Sequence, residues 1–193
     1  MDIEKMINEV RKLYKLQQII PEWTWFLEQI EKTKPKVIIE IGMASGASSL
    51  CLSYFTEHLI SIDSSVPRNQ DVFHNIKQNC KFDFVSGNSN EKKTISKVIN
   101  FLNGKEVDVL FIDGDHSYDG AKEDFNRYKK LVKPGGIIGI HDIAISKYHI
   151  KNGCYVFQLW NKIKKQYPSC CSEKAIKYWG GIGLVKLPIT NNI

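Results

Sequence analysis

From Ile3 the apolar positions Ile3, Met6, Ile7, Val10, Leu13 and Tyr14 recur at helical spacing, which predicts an amphipathic helix with one face turned to a core. Pro21 ends that stretch and can open a second helix, to about residue 32, carrying Trp23, Trp25, Phe26 and Ile30. After Pro35 the pattern changes. Val37-Ile38-Ile39-Glu40-Ile41 is short, β-branched and almost continuously apolar, as a strand covered on both faces must be. Strand-like runs follow at 59–63, 82–85, 107–113 and 137–140. Between them lie helical segments at about 46–55, 70–79 and 91–102, and another after Ser117 with Tyr118, Ala121, Phe125, Tyr128 and Leu131 on one face. Pro134-Gly135-Gly136 is expected to stop that last helix.

Strands alternating with helices imply right-handed crossovers and a mostly parallel, doubly wound Rossmann-like α/β sheet. In such sheets the ligand sits beyond the carboxyl ends of the strands. The polar residues gather there: Glu40 and Gly42 at strand one, Asp63 at strand two, Asn88 just beyond strand three. Asp113, Asp115 and His116 follow strand four, and His141 and Asp142 follow strand five. A chain of 193 residues suits one such domain. We read 1–34 as an N-terminal helical segment, for packing or as a lid, and 35–193 as the domain proper.

Composition narrows the class. Hydrophobic content of 42% and charged content of 25% are those of a folded globular protein. No apolar run approaches the ~18 residues of a membrane span, and the first residues lack the basic and apolar pattern of a secretory signal; a cytoplasmic location is expected. Five cysteines at irregular spacing form no disulfide framework and no Cys-x-x-Cys pair, so buried thiols are expected. The net charge of +6 rests on dispersed lysines, with arginine only at Arg11, Arg68 and Arg127. Solvated faces explain that better than a phosphate-gripping groove, so nucleic acid is not the expected partner. A homo-oligomer stays open.

The first turn, Glu40-Ile41-Gly42-Met43-Ala44-Ser45-Gly46, decides between two ligands. A dinucleotide site wants Gly-x-Gly-x-x-Gly against a pyrophosphate; here the comparable positions are Gly42, Ala44 and Ala47, and Glu40 would face an anion. S-adenosylmethionine carries a sulfonium and an ammonium, which carboxylates stabilise. Asp63, 21 residues after Gly42, can accept hydrogen bonds from ribose hydroxyls.

The segment Val107-Asp108-Val109-Leu110-Phe111-Ile112-Asp113-Gly114-Asp115-His116-Ser117-Tyr118 runs on to Pro134-Gly135-Gly136 and His141-Asp142. It resembles the class I methyltransferases related to cephalosporin-hydroxylase-like proteins and the macrolide and rhamnosyl O-methyltransferases, over about 36–142, with an echo at 179–185. The resemblance implies a seven-stranded sheet with its last strand antiparallel. It implies S-adenosylmethionine contacted by Glu40, Gly42, Met43, Ala44, Gly46, Ser48, Asp63 and Asp113, with Asn88 near the adenine. Ala44 stands where many members have glycine, a departure that costs little if the backbone there is ordinary.

Asp113, His141 and Asp142 occupy positions that resemble the divalent-metal ligands of catechol O-methyltransferase and its relatives. Two carboxylates and a third donor suit magnesium, but at His141, where an acid is commoner, an imidazole suits manganese, iron or zinc better. Without a metal, His116 or His141, each with an ordinary pKa near ~6.5, could serve as general base near neutral pH; helix capping by Asp115 and His116 is the plainer role. His58, His74 and His149 have no such setting. The reading is O-methylation of a small molecule or a sugar hydroxyl, with metal assistance open. The rivals are RNA ribose methylation through Asp113, Lys147 and Glu173, and a non-catalytic cofactor binder. The aromatic Trp23-Thr24-Trp25-Phe26, Tyr155, Trp160 and Tyr178-Trp179 are expected to pack, with a lid role open.

Overall fold

The computed structural model describes residues 1–172 and 180–189. Helices α1 (Ile3–Leu13) and α2 (Ile20–Thr33) precede β1 (Val37–Ile41). Then follow α3 (Ala47–Ser53), β2 (His58–Asp63), α4 (Asp71–Lys77), β3 (Lys81–Ser86), α5 (Lys92–Leu102), β4 (Val107–Ile112) and α6 (Tyr118–Tyr128). β5 (Val132–His141), α7 (Lys147–Lys151), α8 (Val156–Ile163), β6 (Ser169–Ser172) and β7 (Ile182–Lys186) complete the order.

The seven strands form one sheet in the order β3-β2-β1-β4-β5-β7-β6. β1 to β5 run parallel, and β7 is antiparallel to both β5 and β6, so β7 alone is reversed. The doubly wound sheet with a reversed late strand is therefore present. The Pro134-Gly135-Gly136 reading needs correction. α6 ends at Tyr128, a single tight turn spans Lys129–Leu131, and the Pro-Gly-Gly lies inside β5. There the register against β4 slips, Val107 pairing Val132 but Val109 pairing Ile137, as an irregularity accommodating proline and glycine allows.

Alternation along the strands splits the core between two faces. Ile38, Leu59, Val109 and Phe111 pack with α1 to α4; Ile39, Ile60, Leu110 and Ile112 pack with α5, α6 and α8. The N-terminal helices thus share the main core. Trp23 and Phe26 are fully buried and meet Phe111 at ring separations of 5.3 and 5.0 Å. A methyl at Gly139 would lie 2.5 Å from the Phe26 ring, which is why β5 carries glycine there. Trp160 is likewise buried, whereas Tyr178 and Trp179 fall outside the described residues.

At the opposite end of the sheet from the clustered acids, Asp108 accepts the backbone N–H groups of Lys36 and Val37 at 2.8 Å each and pairs with Lys133. Burial opposes its charge, but Lys133 and the two N–H groups outweigh it and hold the carboxyl below its ordinary range. This anchors the start of β1. Among the described residues no helix is long and apolar enough to cross a membrane.

Candidate active site

The turn after β1 is shaped by close backbone approach. Gly42 has φ +93° and passes so near the end of β4 that a Cβ would sit 2.0 Å from the Asp113 carbonyl oxygen. Asp63, closing β2, fixes the same turn: its Oδ2 accepts from Met43 N (2.9 Å) and Ala44 N (2.8 Å), and its Oδ1 accepts from Ser65. Ala44 is left-handed at φ +48°, so its backbone is not ordinary and the loss of glycine there is not mild. An L-residue in this region costs roughly 1–2 kcal/mol, partly offset by the lower entropy of the unfolded alanine chain. Ala44→Gly is therefore expected to raise stability by up to about 1 kcal/mol in urea denaturation.

Above the turn lies a cavity of about 330 Å³ whose lining includes Gly42, Ala44, Asp63, Asn88, Asp113 and His116, within the ~300–1,000 Å³ range of small-molecule sites. A second cavity, about 390 Å³, is lined by Lys15, Leu16, Gln17, Asp113, His116, His141 and Asp142. The two meet at Gln17, Asp113 and His116. Met43 and Ser48 border a smaller recess between them and the connection from α1 to α2.

Glu40 and Gly46 do not line these cavities. Glu40 points, like Ile38, to the α3 face of the sheet. It is fully buried, and its Oε2 accepts from Ser49 Oγ and from Ser61 Oγ (2.7 Å). Burial lifts its carboxyl to about 7 against the serine hydrogen bonds. It supports the turn from beneath and does not line the cavity. Gly46, at φ +83°, begins α3 and packs against Val72 and Met43.

The acid–histidine cluster is tighter than the sequence suggested. His141 Nδ1 stands 3.0 Å from Asp113 Oδ1 and 3.3 Å from Asp142 Oδ1. His116 Nδ1 stands 2.8 Å from Asp142 Oδ2, and the buried His149, given no role above, brings Nε2 to 3.4 Å from Asp142 Oδ1. Asp142 itself is left-handed at φ +59° and accepts the Gly180 N–H at 2.9 Å, a strained backbone held by its partners. Helix α6 is capped by Ser117, which accepts from Gly120 N, so His116 is not needed as a cap.

These contacts overturn the expectation of histidines titrating near 6.5. The hydrogen bond to Asp142, then that to Cys154, raises His116 to about 10 against burial. Burial opposes the charge on His141, yet Asp113 and Asp142 raise it well above its ordinary value. Burial would lift Asp142, but His141, His116 and His149 hold it well below the carboxylate range. Asp113, His141 and Asp142 also converge as a possible cation site. His141 Nδ1 faces both carboxylates, while its buried Nε2 has no hydrogen-bond partner among the described residues.

Residues passed over in the sequence include the connection 14–19 between α1 and α2. Gln18 Nε2 donates to Asp113 Oδ2 at 2.6 Å, and Ser45 Oγ donates to the Lys15 carbonyl at 2.7 Å. The lapse of helical periodicity between Tyr14 and Pro21 was its only signal. Lys147 begins α7, while Glu173 lies outside the described residues.

A sheet of this order, reversed beside β5 and carrying polar cavities above its carboxyl ends, defines the Rossmann-like methyltransferase class of fold. The chain belongs to the family described as "Methyltransferase domain", whose model matches residues 39–143. Uncharacterized protein R132 of Acanthamoeba polyphaga mimivirus is 36% identical over 129 residues, 60% of this chain and 57% of the viral protein. The chain therefore spans little more than half the length of that relative. The O-methyltransferase from Bacillus cereus, in complex with SAH, superposes at TM-score 0.70 and 15% identity over 95% of this chain and 90% of that one. MycE methyltransferase of the mycinamycin biosynthetic pathway, in complex with Mg and SAH, does so at TM-score 0.65 and 14% identity, covering 100% of this chain and 56% of that one. At those identities the shared property is the fold.

Proposed function

We propose that the chain transfers a methyl group from S-adenosylmethionine to a hydroxyl of a small molecule or sugar. The observation that carries this reading is the meeting of two cavities at Gln17, Asp113 and His116, one above the glycine turn and one beside the histidine–acid cluster. The turn Gly42–Ala44, held by Asp63, carries the donor, and Asn88 borders its adenine end. Asp113 receives the donor's ammonium where it now accepts the Gln18 amide. His116, oriented by Asp142, takes the acceptor's hydroxyl proton as the new O–CH3 bond forms and the S–CH3 bond breaks. S-adenosylhomocysteine and the methyl ether are the products.

Asp113, His141 and Asp142 would hold a divalent cation, whose chemistry there is to lower the pKa of an acceptor hydroxyl. MycE is in complex with Mg, and the convergence of Asp113, His141 and Asp142 supports the same at this site. Transfer of labelled methyl to a panel of phenols, sugars and polyols, with EDTA or with Mg²⁺ or Mn²⁺, tests the reading. Donor binding without transfer to any acceptor in any arm would identify a cofactor binder instead.

The pH profile reports the base. Only neutral imidazole accepts a proton, and His116 is raised to about 10. In EDTA, kcat should therefore climb roughly tenfold per pH unit and level off near pH 10. A divalent cation neutralises the carboxylates that hold the proton, so its addition should move that climb to lower pH. A profile flat above pH 7 in EDTA would assign the base elsewhere.

A further inference from the structure

Asp142 turns its two oxygens to opposite sides. Oδ1 faces His141 and the Gly180 N–H, whereas Oδ2 faces His116. On that second side stands Cys154, fully buried and hydrogen-bonded to the His116 imidazole. One ligand atom from each of His116, Asp142 and Cys154 lies within 4.8 Å of the others. Backbone bonds set these positions: Cys154 N donates to the His149 carbonyl and Tyr155 N to the His116 carbonyl, both at 2.9 Å.

We propose that His116, Asp142 and Cys154 form a binding site for a thiophilic divalent cation of the zinc class, separate from the Asp113–His141–Asp142 site and sharing only Asp142 with it. A thiolate, an imidazole and a carboxylate are zinc's donor types, and three protein ligands leave a fourth position open. Thiolate and carboxylate together match the ion's two charges. Magnesium, which takes oxygen ligands, is excluded from the sulfur side, so ligand softness separates the two sites. His116 borders both cavities, which gives the ion a way in. The ion takes the thiolate and the neutral imidazole, as metal sites of these donors do. An ion held there occupies the nitrogen lone pair of the proposed base, and on the methyltransferase reading it is an inhibitor.

Cobalt(II) alone, titrated into the full chain, tests the site without methyl donor. The adjacent exposed Cys170 and Cys171 are first replaced by serine to remove a competing pair. The expected result is a near-ultraviolet thiolate-to-cobalt charge-transfer band saturating at one equivalent and abolished by zinc but not by millimolar magnesium. Asp113→Asn should keep the band. Cys154→Ser and Cys154→Ala should lose it, and affinity should fall by more than the roughly 10–100-fold that a merely supporting residue costs. His116→Ala, at a half-exposed side chain, should also weaken the band should the Cys154 variants fail to fold. Absence of the band, or its persistence in a folded Cys154 variant, overturns the proposal. If it is absent while S-adenosylhomocysteine still binds, the cation site alone fails.

Discussion

Assayed near pH 10, where its imidazole is neutral, His116→Ala is expected to lower kcat by about 10²- to 10⁴-fold, the usual contribution of a positioned proton acceptor, while shifting the affinity for S-adenosylhomocysteine by less than about threefold. The separation follows from position. His116 stands at the junction of the two cavities, with Nδ1 committed to Asp142 at 2.8 Å, so the ring is oriented to serve the acceptor side. Loss of the ring also removes one partner of a buried carboxylate, and His116→Gln provides the control because an amide can keep that hydrogen bond but cannot accept a proton at neutral pH. Steady-state kinetics should find both variants slow. If glutamine restores turnover, His116 is a positioning residue only.

The second large effect lies in the backbone. In Gly42→Ala the added carbon would fall 2.0 Å from the Asp113 carbonyl oxygen, 2.5 Å from its carbon and 2.9 Å from Gly114 N, at a φ of +93°. None of these atoms can rotate away. The ends of β1 and β4 must part, and with them the turn and Asp113. We expect a loss of roughly 4 kcal/mol or more in stability and no measurable cofactor affinity in the fraction that folds. Gly104→Ala is the matched comparison, since its φ is also positive (+78°) but nothing lies within 4 Å of the new carbon. It should cost only about 1–2 kcal/mol. Denaturation curves for the pair separate close approach from backbone strain.

Much of this architecture was legible in the sequence because the strands are buried on both faces. β1, β2 and β4 are short segments rich in Ile, Val and Leu, and the turn after β1 sits where that pattern breaks. β6 was not legible: Ser-Cys-Cys-Ser at an edge carries no apolar alternation. The Pro-Gly-Gly read as a helix stop, since periodicity cannot show that a register slip lets β5 begin before it.

At the site, the rule that ligands gather beyond strand ends singled out Asp63, Asn88, Asp113, His116, His141 and Asp142, all of which line one or both cavities. Glu40, singled out by the same rule, lines neither cavity. A strand residue's side alternates with period two, and position 40 falls on the face covered by α3, behind Ser49. Cys154 and His149 were invisible as partners of Asp142, because α7 and the turn after it must fold back to bring them there. The shifted histidines have the same origin, since a pKa set by three or four converging groups cannot be read one residue at a time.

Calorimetric titration of the purified chain with S-adenosylhomocysteine, beside the same titration with a nicotinamide dinucleotide, meets the central claim head-on. The account predicts saturable one-to-one binding of the former, lost in Asp63→Ala, whose carboxylate holds the turn, and no binding of the latter. Heat with the dinucleotide alone, or silence with both at millimolar concentration, would contradict it.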